Sequence, residues 1–382
     1  MIVTSGKYLR KLTVALTAAL IALLFARLVL RTGKPGPSLA LPDSEYHSAG
    51  SITVTDKDKN RSLLFETKQT TLVGEHGGHA DPSVWGHDPA VISTTAMQAA
   101  KLDLPVCRYP SPVLKGEVKP VSGSRVLTDL DEDQLEVKLE GLLPGGCWRP
   151  LGCRARNGSV AVIIPSHGRR GQLLTLLLYL VPLLQRQQQD FCIYTGNQSR
   201  TSAGERFNKG AIVDALFTEA MKERNWTCVC IHDVDLIPEN DYNSYSCPHT
   251  HVRNLMAGLS KWDYQLAYPQ VFGGCTVSMS WHFRLYNGLS TVFWGWGSED
   301  DDHRRRLTWA GLTWQRSALD VGRFTHIQHR QSATNPDRFA LVPRAEQLQK
   351  THGLNSLKYS VMHRQSRRLY SAFVFHLPNQ GP

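Results

Sequence analysis

From Ser159 onward the chain falls into apolar runs separated by polar breaks. SVAVIIPS, Ser159 to Ser166, is almost wholly apolar and ends at a turn, which predicts a strand buried on both faces. QLLTLLLYLVPLL follows, and its leucines predict a buried helix too interrupted to span a membrane. DFCIYTGNQ predicts a second buried strand, and FNKGAIVDALFTEAMKE sets apolar positions near helical spacing. WTCVCIHDVDLIP predicts a third strand that stops in acids. Strand, helix, strand, helix, strand implies an α/β domain with a largely parallel sheet, whose sites lie at the carboxyl ends of strands. No internal repeat interrupts this pattern.

The amino-terminal pattern is different. Leu12 to Ala26 is uncharged and the apolar run resumes through Leu28 to Leu30, giving roughly the 20 residues a bilayer needs. Without a convincing small-residue cleavage site, this predicts an uncleaved signal anchor over residues 12–30 behind a cytoplasmic tail of residues 1–11. Flanking lysines and arginines are balanced and do not set the orientation. Four sequons do, at Asn60, Asn157, Asn197 and Asn225, because such sites matter on a translocated body. Residues 31–103 contain G-K-P-G-P, V-T-D-K-D-K-N and H-G-G-H-A-D-P with little periodicity, and read as a stem; His76 and His79 there read as solvated. Residues 104–382 are then a single lumenal domain.

Composition refines this picture modestly. The 382 residues are 41% hydrophobic, enough for a core. The formal charge of +10 is spread without a basic run or RNA-motif aromatics, which argues against nucleic acid. The eight cysteines form no paired C-x-x-C clusters, so zinc-ribbon chemistry is disfavoured; in an oxidising lumen some should pair and the rest remain buried thiols.

Three segments carry candidate chemistry. Asp233 and Asp235, two apart past a strand end, project to one face and suit a hard divalent ion that completes its shell with phosphate oxygens. The same pair also fits an ordinary polar strand terminus. His326 and His329 offer two imidazoles suited to Mn-like or Zn-like ions, as well as to a turn without metal. In GWGSEDDDHRRR, Ser298 can cap a helix whose first turn holds Glu299, Asp300 and Asp301, with Arg304 to Arg306 farther along. Trp294 and Trp296, set between glycines, form a mobile aromatic segment of the kind that stacks on sugars.

FNKGAIVDALF, CVCIHDVDLIPENDYNSYSC, FGG, FWGWGSEDDD, VGRFTHIQH, NPDRF and GLNSL stand in the order and spacing of the β1,4-galactosyltransferase family. The chain resembles that family from about Ser159 to Val361. The resemblance implies a type II Golgi membrane protein with a lumenal catalytic domain of GT-A fold. It implies an inverting, Mn²⁺-dependent transfer from a UDP-sugar to GlcNAc-terminated glycans. By position, Asp235 matches a metal ligand, with His329 a second and His326 standing where many members have Met. Asp300 matches the catalytic base. Glu299 and Asp301 match acceptor contacts, and Arg338, Phe339 and Val342 the acceptor N-acetyl pocket. Pro165, Arg169, Asp233, Lys261 and Trp296 match donor contacts. Cys107–Cys153 and Cys228–Cys247 match the family disulfides, leaving Cys147 as an extra cysteine that can compete.

Two departures bear on the donor. The family's IIPFRNR is IIPSHGR here, keeping Arg169 but replacing an aromatic and an arginine by Ser166 and His167. Before FGG, galactose-transferring members carry Tyr and this chain carries Val271. A small side chain leaves room for a 2-acetamido group, so the expected donor is UDP-GalNAc, with UDP-Gal the alternative. A metal-dependent hydrolase and a catalytically silent lectin are the competing classes. Whether the acceptor is glycoprotein or glycolipid, and whether a helper protein takes part, the sequence leaves open.

Overall fold

Seven consecutive buried residues, Ser159–Pro165, form β1, the strand around which the fold is arranged. The computed structural model describes residues 104–378 apart from 121–122, 124, 128–129, 203–205 and 331. The expected tail, anchor and stem, with Asn60, lie outside the described residues. Among those described, no helix is long and apolar enough to cross a membrane.

The remaining elements are α1 (Glu132–Lys138), α2 (Arg170–Arg186), β2 (Asp190–Gln198), α3 (Lys209–Glu223), β3 (Cys228–His232), β4 (Leu236–Pro238), β5 (Val252–Asn254), β6 (Gly258–Leu259), β7 (Cys275–Met279), α4 (Ser280–Leu285), α5 (Glu299–Trp309), β8 (Trp314–Arg316), β9 (Arg323–His326), α6 (Arg338–Leu341), α7 (Ala345–Thr351), β10 (Ser360–Ser366) and β11 (Ser371–His376). Eight strands make one sheet in the order β10-β11-β2-β1-β3-β7-β5-β8.

The side chains of β1 alternate between two cores. Val160, Val162 and Ile164 join the leucines of α2, while Ala161 and Ile163 join Ile212, Leu216 and Phe217 of α3. Each such aliphatic or aromatic side chain, fully buried, contributes roughly 1.5–3 kcal/mol. This two-sided cover is why the strands read as apolar runs and not as alternating ones.

The sheet is mixed, with four parallel and three antiparallel pairings. β11, β2, β1 and β3 run parallel to one another, as do β5 and β8. β7 is antiparallel to both β3 and β5, and β10 to β11. The parallel half follows from the helical crossovers α2 and α3; the antiparallel strands lie in the carboxyl-terminal part, where short strands and loops replace that alternation.

The sequence run WTCVCIHDVDLIP is not one strand. It breaks at Asp233 to Asp235, and Leu236–Pro238 joins a separate sheet of order β4-β9-β6. Chain order places β2 on one side of β1 and β3 on the other, so a switch point opens beyond their carboxyl ends, where the broken acidic segment lies.

Three disulfides are present. Cys107–Cys153 and Cys228–Cys247 pair as the resemblance implies. Cys147 is not a competitor but the partner of Cys192 in β2. The segment 145–148 lies against β2 where β11 has not yet begun: Trp148 and Phe191 exchange backbone hydrogen bonds, and Ile193 donates to Gly145. Cys230 and Cys275 are buried free thiols.

Candidate functional site

The register of the small sheet assembles the first cluster. Leu236 pairs with His326, and Ile327 N donates to the carbonyl of Asp235 at 2.7 Å. Residues some ninety positions apart in sequence are thereby neighbours. His329 Nε2 lies 2.6 Å from Asp235 Oδ2 and His326 Nε2 lies 3.6 Å from it. One ligand atom from each of the three falls within 4.8 Å of the others. A carboxylate oxygen and two imidazole nitrogens converging in this way fit a divalent cation of the Mn or Zn type. Burial works to raise the Asp235 pKa, but its bonds to His326 and His329 outweigh that and hold the carboxyl below its ordinary range. The Asp235 bond also raises His329, against the effect of burial.

Asp233 does not share this cluster. Its carboxylate meets Lys209 Nζ at 2.8 Å, and the same ammonium lies 3.1 Å from Asp300 Oδ1. The two acids expected to act together thus have different partners. Lys209, the first residue of α3, carries no functional signal of its own in the sequence. A lysine at the edge of an amphipathic helix reads as solvated, and only the fold brings it between two acids.

The acidic turn resolves into four separate contacts. Glu299 accepts from Gly297 N at 2.8 Å, Asp300 binds Lys209, Asp301 accepts from the Tyr268 hydroxyl at 3.0 Å, and Asp302 pairs with Arg306 at 2.6 Å. Ser298 occupies the cap position but makes no capping bond, because its backbone is left-handed, with φ 71°. Glu299 turns back to the Gly297 amide instead.

Asp300 sits against the FGG turn. A Cβ on Gly273 would approach the Asp300 carboxyl carbon to 2.4 Å, and Gly273 has φ 115°. Any other residue there is strained and displaces the acid. The turn itself is tied to the broken strand: Asp233 N donates to Gly274 O at 2.7 Å, and Asn254 Nδ2 donates to Gly273 O at 2.8 Å. Burial, with help from Glu299 and Asp233, raises Asp300 to about 7 against the opposing pull of Lys209. His303, one turn on, is driven down to about 3 by burial, Lys209 and Arg306, and is neutral.

The other expected residues fall around these two clusters. Pro165 ends β1 and is buried. Arg169 donates through Nη2 to Arg330 O at 3.2 Å, close to His329, while its Nη1 is buried and without a hydrogen-bond partner. Lys261 is exposed on a short 3₁₀ turn whose Ser260 hydroxyl accepts from His326 N. Val271 is buried, and its carbonyl accepts from Arg316. Ser166 turns inward to Thr195, and His167 stacks on Phe207 with ring centroids 5.3 Å apart.

Trp296 is 50% exposed, and its backbone is bonded to one neighbouring segment, donating to Ala333 O and accepting from Asn335 N. The preceding Gly295 N donates to Phe207 O. Arg338 packs its stem against Gly297 and lies over the ring of Phe339, which is largely exposed. The carbonyl of Val342 accepts from Arg305 of α5. Of the sequons, Asn225 is exposed and Asn157 partly so, whereas the Asn197 carboxamide accepts from Gly168 N at 3.2 Å.

A family described as the N-terminal region of glycosyl transferase group 7 matches residues 107–248, and one described as the N-terminal domain of galactosyltransferase matches residues 253–330. Beta-1,4-galactosyltransferase 3 of Homo sapiens is 36% identical over 271 residues, covering 70% of this chain and 67% of that protein. Beta-1,4-galactosyltransferase 4 of Homo sapiens is 34% identical over 281 residues, covering 72% and 78%. A solved structure of a Drosophila beta-1,4-galactosyltransferase 7 mutant in complex with manganese, UDP-Gal and xylobiose is 23% identical, with a TM-score of 0.48 over 57% of this chain and 93% of that one. Matched over more than half its length and across two thirds or more of these human relatives, the chain belongs to the β1,4-galactosyltransferase family.

Proposed function

We propose that the protein transfers N-acetylgalactosamine, and to a lesser extent galactose, from its UDP donor to the 4-hydroxyl of terminal GlcNAc, with inversion at the anomeric carbon. The observation that carries this reading is the adjacency of a cation cluster and an acid poised to accept a proton. Asp235, His326 and His329 form the one, Asp300 the other, and Lys209 with Asp233 joins them.

Asp235, His326 and His329 would hold Mn²⁺, which supplies positive charge opposite the pyrophosphate as it departs. Arg169, with a buried donor free beside His329, suits a phosphate oxygen. Asp300 accepts the proton of the acceptor hydroxyl as that oxygen bonds to the anomeric carbon. The bond to UDP breaks on the opposite face, its electron pair leaving with the phosphate. A base near pH 7 is matched to this work, which typically contributes about 10²- to 10⁴-fold. Glu299, Asp301 and Trp296 would border the acceptor, with Arg338, Phe339 and Val342 around its acetamide.

Donor choice turns on Val271. Its backbone is fixed by Tyr268 O and Arg316 whatever the side chain, so a change there alters volume more than position. Valine leaves space for an acetamide at C2 that a phenol ring would fill. Competition between UDP-GalNAc and UDP-Gal with Mn²⁺ and a GlcNAc acceptor tests the reading. Preferred use of UDP-GalNAc is expected, Val271→Tyr should turn preference to galactose, and Asp300→Asn should abolish transfer while sparing donor binding. Strong exclusion of UDP-GalNAc with brisk galactose transfer would end the donor assignment. UDP release independent of acceptor would indicate a hydrolase, and binding without turnover a lectin.

The apolar run over residues 12–30 and the four sequons support a single-pass type II protein of the Golgi membrane with its catalytic part in the lumen. Protease protection in sealed microsomes tests this; digestion of the 104–382 body without detergent would refute it.

A further inference from the structure

We infer that Lys209 is a positioning residue, whose ammonium bridges Asp233 and Asp300 so that Asp300 stays ionised and aimed for proton abstraction. This rests on the reading of Asp300 as the base.

Several observations converge on it. Lys209 stands at the first position of α3, the end of a helix that repels cations, and no acid of that helix's own first turn offsets it. Its backbone is nonetheless fixed. The buried Asn208 caps α3 by accepting from Ala211 N at 2.9 Å, donates its side-chain amide to Thr291 O at 2.7 Å, and donates its backbone amide to Gln198 Oε1 at 2.9 Å. The side chain is 15% exposed and spends its charge on two carboxylates, at 2.8 and 3.1 Å. A cation placed against the helix dipole, out of water and between acids from two other segments is a local conflict that the site resolves.

The surroundings of Asp300 show what is at stake. Glu299 faces it from its own helix, Asp233 from the break after β3, and the Tyr268 phenol from the loop before FGG; the Gly273 backbone closes another side. Among the described residues Lys209 is the cation in salt-bridge contact with Asp300. Burial and two neighbouring anions favour the protonated acid, and Lys209 is the group that opposes them. The lysine itself remains an ammonium: burial disfavours its charge, but Asp233 and Asp300 raise its pKa well above the ordinary value.

The test uses the full chain with aspartate side chains labelled in ¹³C. The Asp300 carboxyl, assigned by its loss in Asp300→Asn, is titrated alongside the pH dependence of kcat for wild type, Lys209→Met and Lys209→Arg. Methionine should move the Asp300 titration and the acid limb of kcat upward together by about one unit or more. That shift corresponds to about tenfold less activity at pH 6 and substantial recovery above pH 8. Arginine should restore both curves. Lys209→Gln serves as a second neutral variant if methionine disturbs folding. An unmoved carboxyl titration in both neutral variants, or an arginine variant as impaired as methionine, would overturn the inference. A wild-type chain that transfers no sugar would refute the functional reading instead, while the carboxyl titration still decides the part played by Lys209.

Discussion

Single residues in this site differ greatly in how far their chemistry is visible beforehand. Asp235, His326 and His329 are legible only through the family motifs, since an acid pair at a strand end and two histidines three apart fit a polar terminus and a turn without metal equally well. His326 offers a nitrogen where many relatives have sulfur, and nitrogen suits a borderline or hard ion better than a thioether does. His326→Met should therefore raise the Mn²⁺ concentration for half-maximal activity several-fold, with most activity returning at saturation. Metal titration of initial rates checks this, and an unchanged titration would mean that His326 lies outside the coordination shell. Lys209 and Tyr268 were not legible. Lysine on a helix and tyrosine in a Pro-containing loop are common surface features, and only proximity in the fold gives them partners. Val271 lies between these cases: its size can be read, but the Arg316 contact that fixes its backbone cannot.

At the level of elements, hydrophobic texture predicts β1, α2, β2, α3 and β3 because burial on both faces leaves uninterrupted apolar runs. The short strands β4, β5, β6 and β9, of two to four residues, leave no such trace. Yet the pairing of β4 with β9 is what joins Asp235 to His326. The helix α5 likewise has a hidden anchor. Arg306 is fully buried, paired with Asp302 at 2.6 Å, and donates to His352 O at 2.7 Å and Asn287 O at 3.4 Å. It fastens the helix bearing Glu299, Asp300 and Asp301 to the loop after α4 and to the end of α7. In sequence it is one of three consecutive arginines, with nothing to distinguish it. Arg306→Met should cost about 3–5 kcal/mol, because Asp302 is left buried and unpaired, and should raise acceptor KM more than donor KM. Denaturant unfolding and two-substrate kinetics check both; a surface-like loss under 1 kcal/mol would show that α5 is held by other contacts.

For the whole molecule, the cysteine count does not predict which disulfides form, since pairing depends on chain segments that meet only in the fold. Cys147 illustrates this. The turn residues Gly145 and Gly146 bring it beside β2 through backbone bonds to Arg367 and Arg368, so the segment closes the sheet edge that β11 leaves uncovered. The bond to Cys192 closes a loop of 45 residues, which on chain-entropy grounds stabilises the fold by about 4 kcal/mol. It lies near the amino end of β2, whereas Asp233, Asp235 and Asp300 gather beyond the carboxyl ends of β1 and β3. The paired change Cys147→Ser with Cys192→Ser should accordingly lower the unfolding midpoint and leave kcat and donor preference at low temperature within about twofold. Thermal unfolding measured beside activity at 20 °C separates these effects. A matching loss in both would mean that the amino-terminal padding of β2 helps to set the geometry of the site, and that stability and catalysis here share one mechanical unit.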